Sequence, residues 1–304
     1  MLAPGDEVVV VAPAGPFDRE RLELGLRILA DRGLTVQCDA GVFERWRYLA
    51  GPDPRRLDEL ADALTRPGVR AVWAARGGYG VLRLLDRLPW DDIAQAEPRW
   101  LLGFSDVTAL HAAWLAAGRA GAVHGPNVTT LGEIGGTDRD LLFGLLTGSL
   151  PPPALGVEQL RVIVPGACEG PLWGGNLSLV TRLLGTPFLP PADGAVLFLE
   201  DVGERPYRLD RMVTHLRLAG VLGRVAGVVL GDFVGCEEEG SDYAATEVLD
   251  ELLGDLGVPV VAGFPAGHGV RLRALPLGVR VGIEADEAHG RLRVLEVPWT
   301  AETP

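Results

Sequence analysis

Ser105 stands in RWLLGFSDVTALHAAWLAAG, where an apolar run at Leu101 and Leu102 breaks at Gly103-Phe104-Ser105-Asp106 and resumes with helical spacing at Val107, Leu110, Trp114 and Leu115. A strand that feeds a helix through a tight turn exposes a short side chain at the strand's carboxyl end. It also leaves the first amides of the helix free to bind developing negative charge. Ser followed by Asp at a helix start is equally an ordinary N-cap arrangement, and Val107 occupies the place of the second glycine of G-x-S-x-G. Ser105 is thus a candidate nucleophile outside the usual α/β-hydrolase pattern.

A serine nucleophile needs a base to take its proton and an acid to hold that base. The chain has five histidines. His111 and His215 lie within helical patterns, and His289 lies in a polar hairpin turn. His124 ends the short apolar run of AVHGPN. His268, in VVAGFPAGHGVRL, follows a strand and lies in a loop whose Gly263, Pro265, Gly267 and Gly269 set an irregular path. His268 leads as the base, with His124 second. The acid is Glu200 or Asp201, which end the apolar run Ala-Val-Leu-Phe-Leu at 195–199. Adjacent strand residues point to opposite faces, so one can face a site while the other pairs elsewhere, with Arg205, Arg208 or Arg211 at hand.

Two glycine turns complete the set. Gly77-Gly78-Tyr79-Gly80, preceded by Arg76, lets backbone approach a ligand and could supply an oxyanion N–H; it lacks the lysine and spacing of a phosphate loop. Gly174-Gly175-Asn176, after Trp173, either brings backbone and an amide to a site or starts a helix.

The elements that must position these residues alternate. Strands are expected over 7–12, 35–38, 71–74 and 100–102, and helices over 19–31, 54–65, around 80–88, after Ser105 and over 138–146. Such alternation predicts a parallel sheet covered by helices on both faces. TGSLPPPALG at 147–156 cannot continue a helix or a central strand, and divides the chain into 1–148, a linker region 149–165, and 166–304. Beyond it, strands are expected over 162–164, 195–199, 227–230 and 258–261, helices over 176–184, 208–219 and 244–256, and a hairpin over 279–296.

With 304 residues, 47% of them hydrophobic, the chain can bury a sizeable core and two domains are the default expectation. The 28 basic and 41 acidic residues give a net charge of −13, which disfavours nonspecific contact with nucleic acid or anionic membrane. Cys38, Cys168 and Cys236 form no C-x-x-C pair and leave an odd count, which suits reduced thiols. The first residues have neither the basic region nor the longer apolar segment of a signal peptide, and no apolar stretch reaches the roughly 20 residues of a membrane span. A cytoplasmic location is expected.

Taken together, the chain resembles the LD-carboxypeptidase family of serine peptidases, which includes muramoyltetrapeptide carboxypeptidases and microcin C immunity-type relatives. The landmarks run in order over nearly the whole length: VVAPAGP at 10–16 with the strand before it, ARGGYG at 75–80, GFSD at 103–106, HGP at 124–126, GGNLSLV at 174–180, FLEDVGERPYRLDRM at 198–212, PAGHG at 265–269 and LPLG at 275–278. The resemblance implies a flavodoxin-like, amidotransferase-like N-terminal domain and a smaller β-rich C-terminal domain, with the active site between them. It implies a Ser105–Glu200–His268 triad and an oxyanion hole from the N–H groups of Asp106 and a glycine of the ARGGYG turn, taken as Gly78. It also implies a homodimer and no metal or organic cofactor.

The implied reaction is removal of a terminal D-alanine from the L-centre of a diamino acid in cell-wall tetrapeptides. Gly77, Trp173 and Asn176 are candidate substrate contacts, and Arg76, Arg205 and Arg271 are candidates for the terminal carboxylate. Trp173 could instead be a platform for a base, which would fit hydrolysis of peptidyl or aminoacyl adenylates. A noncatalytic small-molecule binding protein is the third reading. One departure stands out: members of the family commonly carry Asn four residues after the histidine, where this chain has Leu272; if that Asn orients the loop, Arg271 or Arg273 is the candidate substitute, and the departure bears on substrate preference more than on the triad.

Overall fold

The computed structural model describes residues 1–299. In the first half, β1 (Glu7–Val11), β2 (Thr35–Cys38), β3 (Val69–Ala74), β4 (Trp100–Gly103) and β5 (Ala122–His124) pair in parallel in the order 2-1-3-4-5. The connections carry α1 (Arg19–Asp31), α2 (Asp53–Thr65), α3 (Trp90–Gln95) and α4 (Thr108–Ala116), and α5 (Gly136–Thr147) follows the last of these strands. β1 and β4 are almost wholly buried, as expected of strands covered on both faces by helices. In a sheet of this order, ligands bind outside the carboxyl ends of the strands where the order reverses, here between β1 and β3.

The second half holds β6 (Val157–Val164), β7 (Gly166–Asn176), α6 (Leu177–Arg182), β8 (Val196–Val202), α7 (Pro206–Leu218), β9 (Gly227–Val234), α8 (Ala245–Leu253), β10 (Val260–Ala262), β11 (Leu275–Leu277), β12 (Arg280–Ala285) and β13 (Gly290–Val294). Seven of these strands close a barrel in the order β10-β6-β13-β12-β7-β8-β9. The exception is β11. It leaves the barrel and pairs antiparallel with β5, becoming the sixth strand of the first sheet. This is the mixed α/β fold of a flavodoxin-like sheet and a smaller β-rich unit.

Several local expectations change. The helix expected around 80–88 is two short 3₁₀ turns, Val81–Arg83 and Leu85–Arg87, because Gly80 enters with φ +139° and Pro89 follows directly. β6 falls inside the expected linker 149–165, and β11 falls inside 166–304 yet belongs to the first sheet. β7 escapes sequence reading because GACEGPLWGGN has no alternating pattern.

The halves meet close to the candidate nucleophile. α4 follows Ser105, and the hydroxyl of its first residue, Thr108, accepts the buried N–H of Asn176 at 3.0 Å. A Cβ on Gly175 would lie 2.5 Å from that hydroxyl, so only glycine lets β7 approach α4 this closely. Thr108→Val keeps the shape but removes the acceptor. It should lower the unfolding free energy by about 1–3 kcal/mol, and an unchanged denaturant midpoint would show that this contact does not hold the halves together.

Candidate active site

Ser105 lies directly beyond the carboxyl end of β4 at φ +64°. A non-glycine residue held in the left-handed region stores roughly 1–3 kcal/mol of backbone strain, a feature that clusters at functional sites. The strain lifts the side chain off the strand's end, and several neighbours maintain it. Gly103, at φ +156°, has no room for a side chain: a Cβ there would lie 2.9 Å from the Asn127 Oδ1, which itself accepts the Phe104 N–H at 3.3 Å.

The 75–80 turn sits beside the serine. A Cβ on Gly77 would come within 2.7 Å of the Ser105 Cβ, so the backbone passes directly against the hydroxyl-bearing side chain. Three groups hold the turn. Gly15 N–H donates to the Gly77 carbonyl at 3.1 Å. The fully buried Arg56 guanidinium bridges the carbonyls of Pro13 and Gly80 and pairs with Asp53. Asp106 Oδ2 accepts the Val81 N–H at 2.8 Å. Asp106 therefore turns its carboxylate inward, while its N–H belongs to the first turn of the short helix Ser105–Val107, where amides have no partner within the helix. Burial pushes the Asp106 carboxyl up to about 6.

His268 arrives from the other half, in the loop between β10 and β11. Its Nδ1 lies 2.8 Å from Glu200 Oε2. Glu200 sits on β8 and is fully buried. Burial raises its proton affinity, and the bond to His268 opposes that rise. Two glycines let the loop come this close, since a Cβ on Gly267 would meet Glu200 Oε2 at 2.9 Å and one on Gly269 would meet Asp232 Oδ2 at 2.4 Å. The Phe104 ring packs against the imidazole with centroids 4.9 Å apart. A cavity of about 520 Å³ opens between Ser105, His268, Gly77, Gly78 and Arg76, walled also by Phe17, Arg21, Asn127, Thr129 and Thr130. Ser105 and His268 line it together, without a hydrogen bond between them among the described residues; such bonds commonly tighten only with substrate.

The remaining candidates separate. Asp201, adjacent to Glu200, takes the Asn176 amide, the Ser178 N–H and the Ser178 hydroxyl, each at 2.9 Å. It anchors the start of α6. Asn176 is itself buried, caps α6 by accepting the Leu179 N–H at 3.2 Å, and is not among the residues lining the cavity. Trp173 is 3% exposed, packed in the apolar core of the second half with Leu177, Val180 and Leu197, and offers no exposed platform. Arg205 is outside the cavity and 3.7 Å from Glu238, and Arg271 is bound to Asp138 through two 2.6 Å bonds. Arg76 alone of the three arginines lines the cavity, held by the Pro16 carbonyl and with no carboxylate partner among the described residues.

His124 is fully buried between the rings of Phe104 and Phe198, and burial drives its proton affinity well down. It cannot reach the cavity. Sequence reasoning passed over Phe17, Arg21, Thr129 and Thr130. The signal available for Phe17, Thr129 and Thr130 was their position just past VVAPAGP and HGPN, in the loops after β1 and β5, whereas Arg21 lies in the first turn of α1.

Comparison with known proteins places these features in context. Residues 8–125 match the family model of the LD-carboxypeptidase N-terminal domain, and residues 169–283 that of the C-terminal domain. The murein tetrapeptide carboxypeptidase of Pseudomonas aeruginosa is 34% identical over 295 residues, covering 92% of this chain and 93% of the relative. The Escherichia coli microcin C7 self-immunity protein is 26% identical, covering 91% and 89%. Among solved structures, muramoyltetrapeptide carboxypeptidase from Oxalobacter formigenes superposes with a TM-score of 0.85 at 29% identity, over 96% of this chain and all of that one.

Asp106 generates a pH-dependent prediction. Its folded-state value of about 6 lies above the unfolded value of 3.8, so the folded state binds the extra proton and stability falls as pH rises between the two. Asp106→Asn keeps an acceptor for Val81 and removes this penalty. Between about pH 4 and about pH 7, the stability difference should move in favour of the variant by up to about 3 kcal/mol. Parallel thermal melts at the two pH values that showed a constant difference would refute the assignment.

Proposed function

Because the chain belongs to the LD-carboxypeptidase family of serine peptidases, we propose that it removes the terminal D-alanine from murein tetrapeptides, with Ser105 as nucleophile, His268 as base and Glu200 as the acid that holds the base. The observation that carries this reading is the 2.8 Å bond from His268 Nδ1 to the buried Glu200, with His268 lining the same cavity as the strained Ser105.

The bond fixes the tautomer with the proton on Nδ1, leaving the Nε2 lone pair for the serine. His268 takes the hydroxyl proton as Ser105 Oγ bonds to the scissile carbonyl carbon. The carbonyl oxygen becomes an oxyanion, received by the N–H groups of Gly78 and Asp106. Glu200 stabilises the imidazolium that forms, and its burial strengthens that attraction. Collapse breaks the C–N bond, and the imidazolium gives its proton to the departing amine of D-alanine. A water activated by the same imidazole then hydrolyses the acyl-enzyme.

Arg76 supplies a charge for the terminal carboxylate, a role supported by its place on the cavity wall and by the commitment of Arg205 and Arg271 elsewhere. The peptide reading is favoured over adenylate hydrolysis because Trp173, the candidate base platform, is buried in the core. The reading carries with it a homodimer, which the family resemblance supports, and a cytoplasmic location. Among the described residues, no helix is long and apolar enough to cross a membrane.

Incubation with L-Ala-D-Glu-diaminopimelate-D-Ala, followed by mass spectrometry, tests the reaction. The protein should remove one alanine, and Ser105→Ala should lower kcat at least about 10⁴-fold. Release by both proteins would remove Ser105 from the mechanism, and release by neither would remove the peptide substrate. Arg76→Ala should raise KM by roughly 10-fold or more while altering kcat less; an unchanged KM would assign the carboxylate to another group.

A further inference from the structure

The loop that carries His268 has a second point of attachment. Arg273 N–H donates to the Pro265 carbonyl at 2.9 Å, closing residues 265–273 into a compact surface loop. Within it, His268 faces the cavity, Val270 is 93% exposed at the tip and Leu272 is buried. Arg271 reaches across to the first half of the molecule. Its Nε and Nη2 donate to Asp138 Oδ2 and Oδ1, each at 2.6 Å, in the two-pronged geometry that fixes direction as well as distance.

Asp138 is 1% exposed and stands in the first turn of α5, where the helix N-terminus favours a negative charge. A buried carboxylate that stands on a rigid helix and is gripped by both nitrogens of a fork leaves the guanidinium little freedom. The Arg273 guanidinium binds the carbonyls of Ala154, Leu155 and Gly156 and fastens the end of the loop, but it is two residues farther from His268.

We infer that the Arg271–Asp138 pair is a positioning device that sets the His268 imidazole, carried by the barrel half, against Ser105, carried by the sheet half. The inference rests on the proposed roles of Ser105 and His268. Glu200 fixes the imidazole relative to the barrel only. The gap to Ser105 depends on how the loop is docked on the first half, and Arg271 is the side chain of the 265–273 loop that forms an ion pair with that half. Arg271 is therefore a positioning residue and does not touch substrate.

The test compares the full-length protein with Arg271→Lys, Asp138→Asn and Asp138→Asn/Arg271→Gln. Lysine keeps the charge opposite Asp138 and so protects folding, but cannot make the fork. The double variant leaves no buried unpaired charge. Leu249→Ala, in the core of α8, serves as a destabilised control. Two readouts are taken: steady-state release of D-alanine from the tetrapeptide, and the rate of Ser105 labelling by a fluorophosphonate.

A displacement of about 1 Å in the base predicts a fall of about 10- to 100-fold in kcat and in labelling rate for each single variant. KM should stay within about twofold, and the double variant should fall no further than the worse single. Leu249→Ala should keep kcat. Unchanged kcat in folded Arg271→Lys and Asp138→Asn overturns the inference. So does a raised KM at constant kcat, which would make Arg271 a substrate ligand, and so do single effects that multiply in the double variant. If the wild-type protein is not labelled at Ser105, the proposed function fails and takes the inference with it; a labelled wild type with unaffected variants refutes the positioning role alone.

Discussion

The architecture of the site depends on one stretch of backbone, residues 263–274, which must leave the barrel after β10 and enter the six-stranded sheet as β11. A chain so short between two anchored ends cannot wander, and it holds the two halves in register across the cavity. His268 rides on it. Its nearest fixed partner, Glu200, belongs to the barrel, whereas the serine that lines the same cavity belongs to the sheet, so the spacing of His268 and Ser105 is a property of the junction between halves. The glycines of this stretch follow from the same constraint, because side chains at 267 and 269 would strike the carboxylates of Glu200 and Asp232.

Around that junction the protein buries charges that cost stability. Glu200, Asp201, Asp106, Asp138 and Arg56 are all nearly inaccessible. Each apart from Glu200 is tied to backbone or to a turn: Asp201 and Asn176 to the start of α6, Asp106 and Arg56 to the 76–80 turn, Asp138 to the 265–273 loop. Removing one partner of such a set strands a desolvated charge, so these interactions make the local geometry costly to disturb even where they add little net stability. Rigid placement is what a site of preoriented donors requires, since groups already aimed at a developing charge need not reorganise during reaction. The strained Ser105 backbone persists for the same reason: the packed turn beside it and Asn127 behind it leave no relaxed alternative.

Much of the site was legible in the sequence. The break at Gly103-Phe104-Ser105-Asp106 pointed to a serine at a strand end, and the glycine-rich loop singled out His268. These signals are local, because turn chemistry depends on residues within a few positions. The choice between Glu200 and Asp201 was not legible from the strand pattern, since alternation says only that they face opposite ways. The family resemblance preferred Glu200, and in the fold Glu200 meets His268 while Asp201 turns to α6. The arginines show the opposite limit: Arg76, Arg205 and Arg271 look alike as isolated cations near glycines, yet only Arg76 meets the cavity.

The sequence by itself determined the alternating elements of the first half, the strand-end position of the serine and the membership of a family, because hydrophobic period, glycine placement and motif order are properties of neighbouring residues. Tertiary structure alone decided that β11 crosses into the first sheet, that β6 and β7 help close a barrel, and that Arg271 grips Asp138 more than a hundred positions away. Those facts depend on which distant segments share a surface. That is settled by the joint burial of apolar faces and the pairing of buried charges, neither of which leaves a mark on the local pattern of either partner.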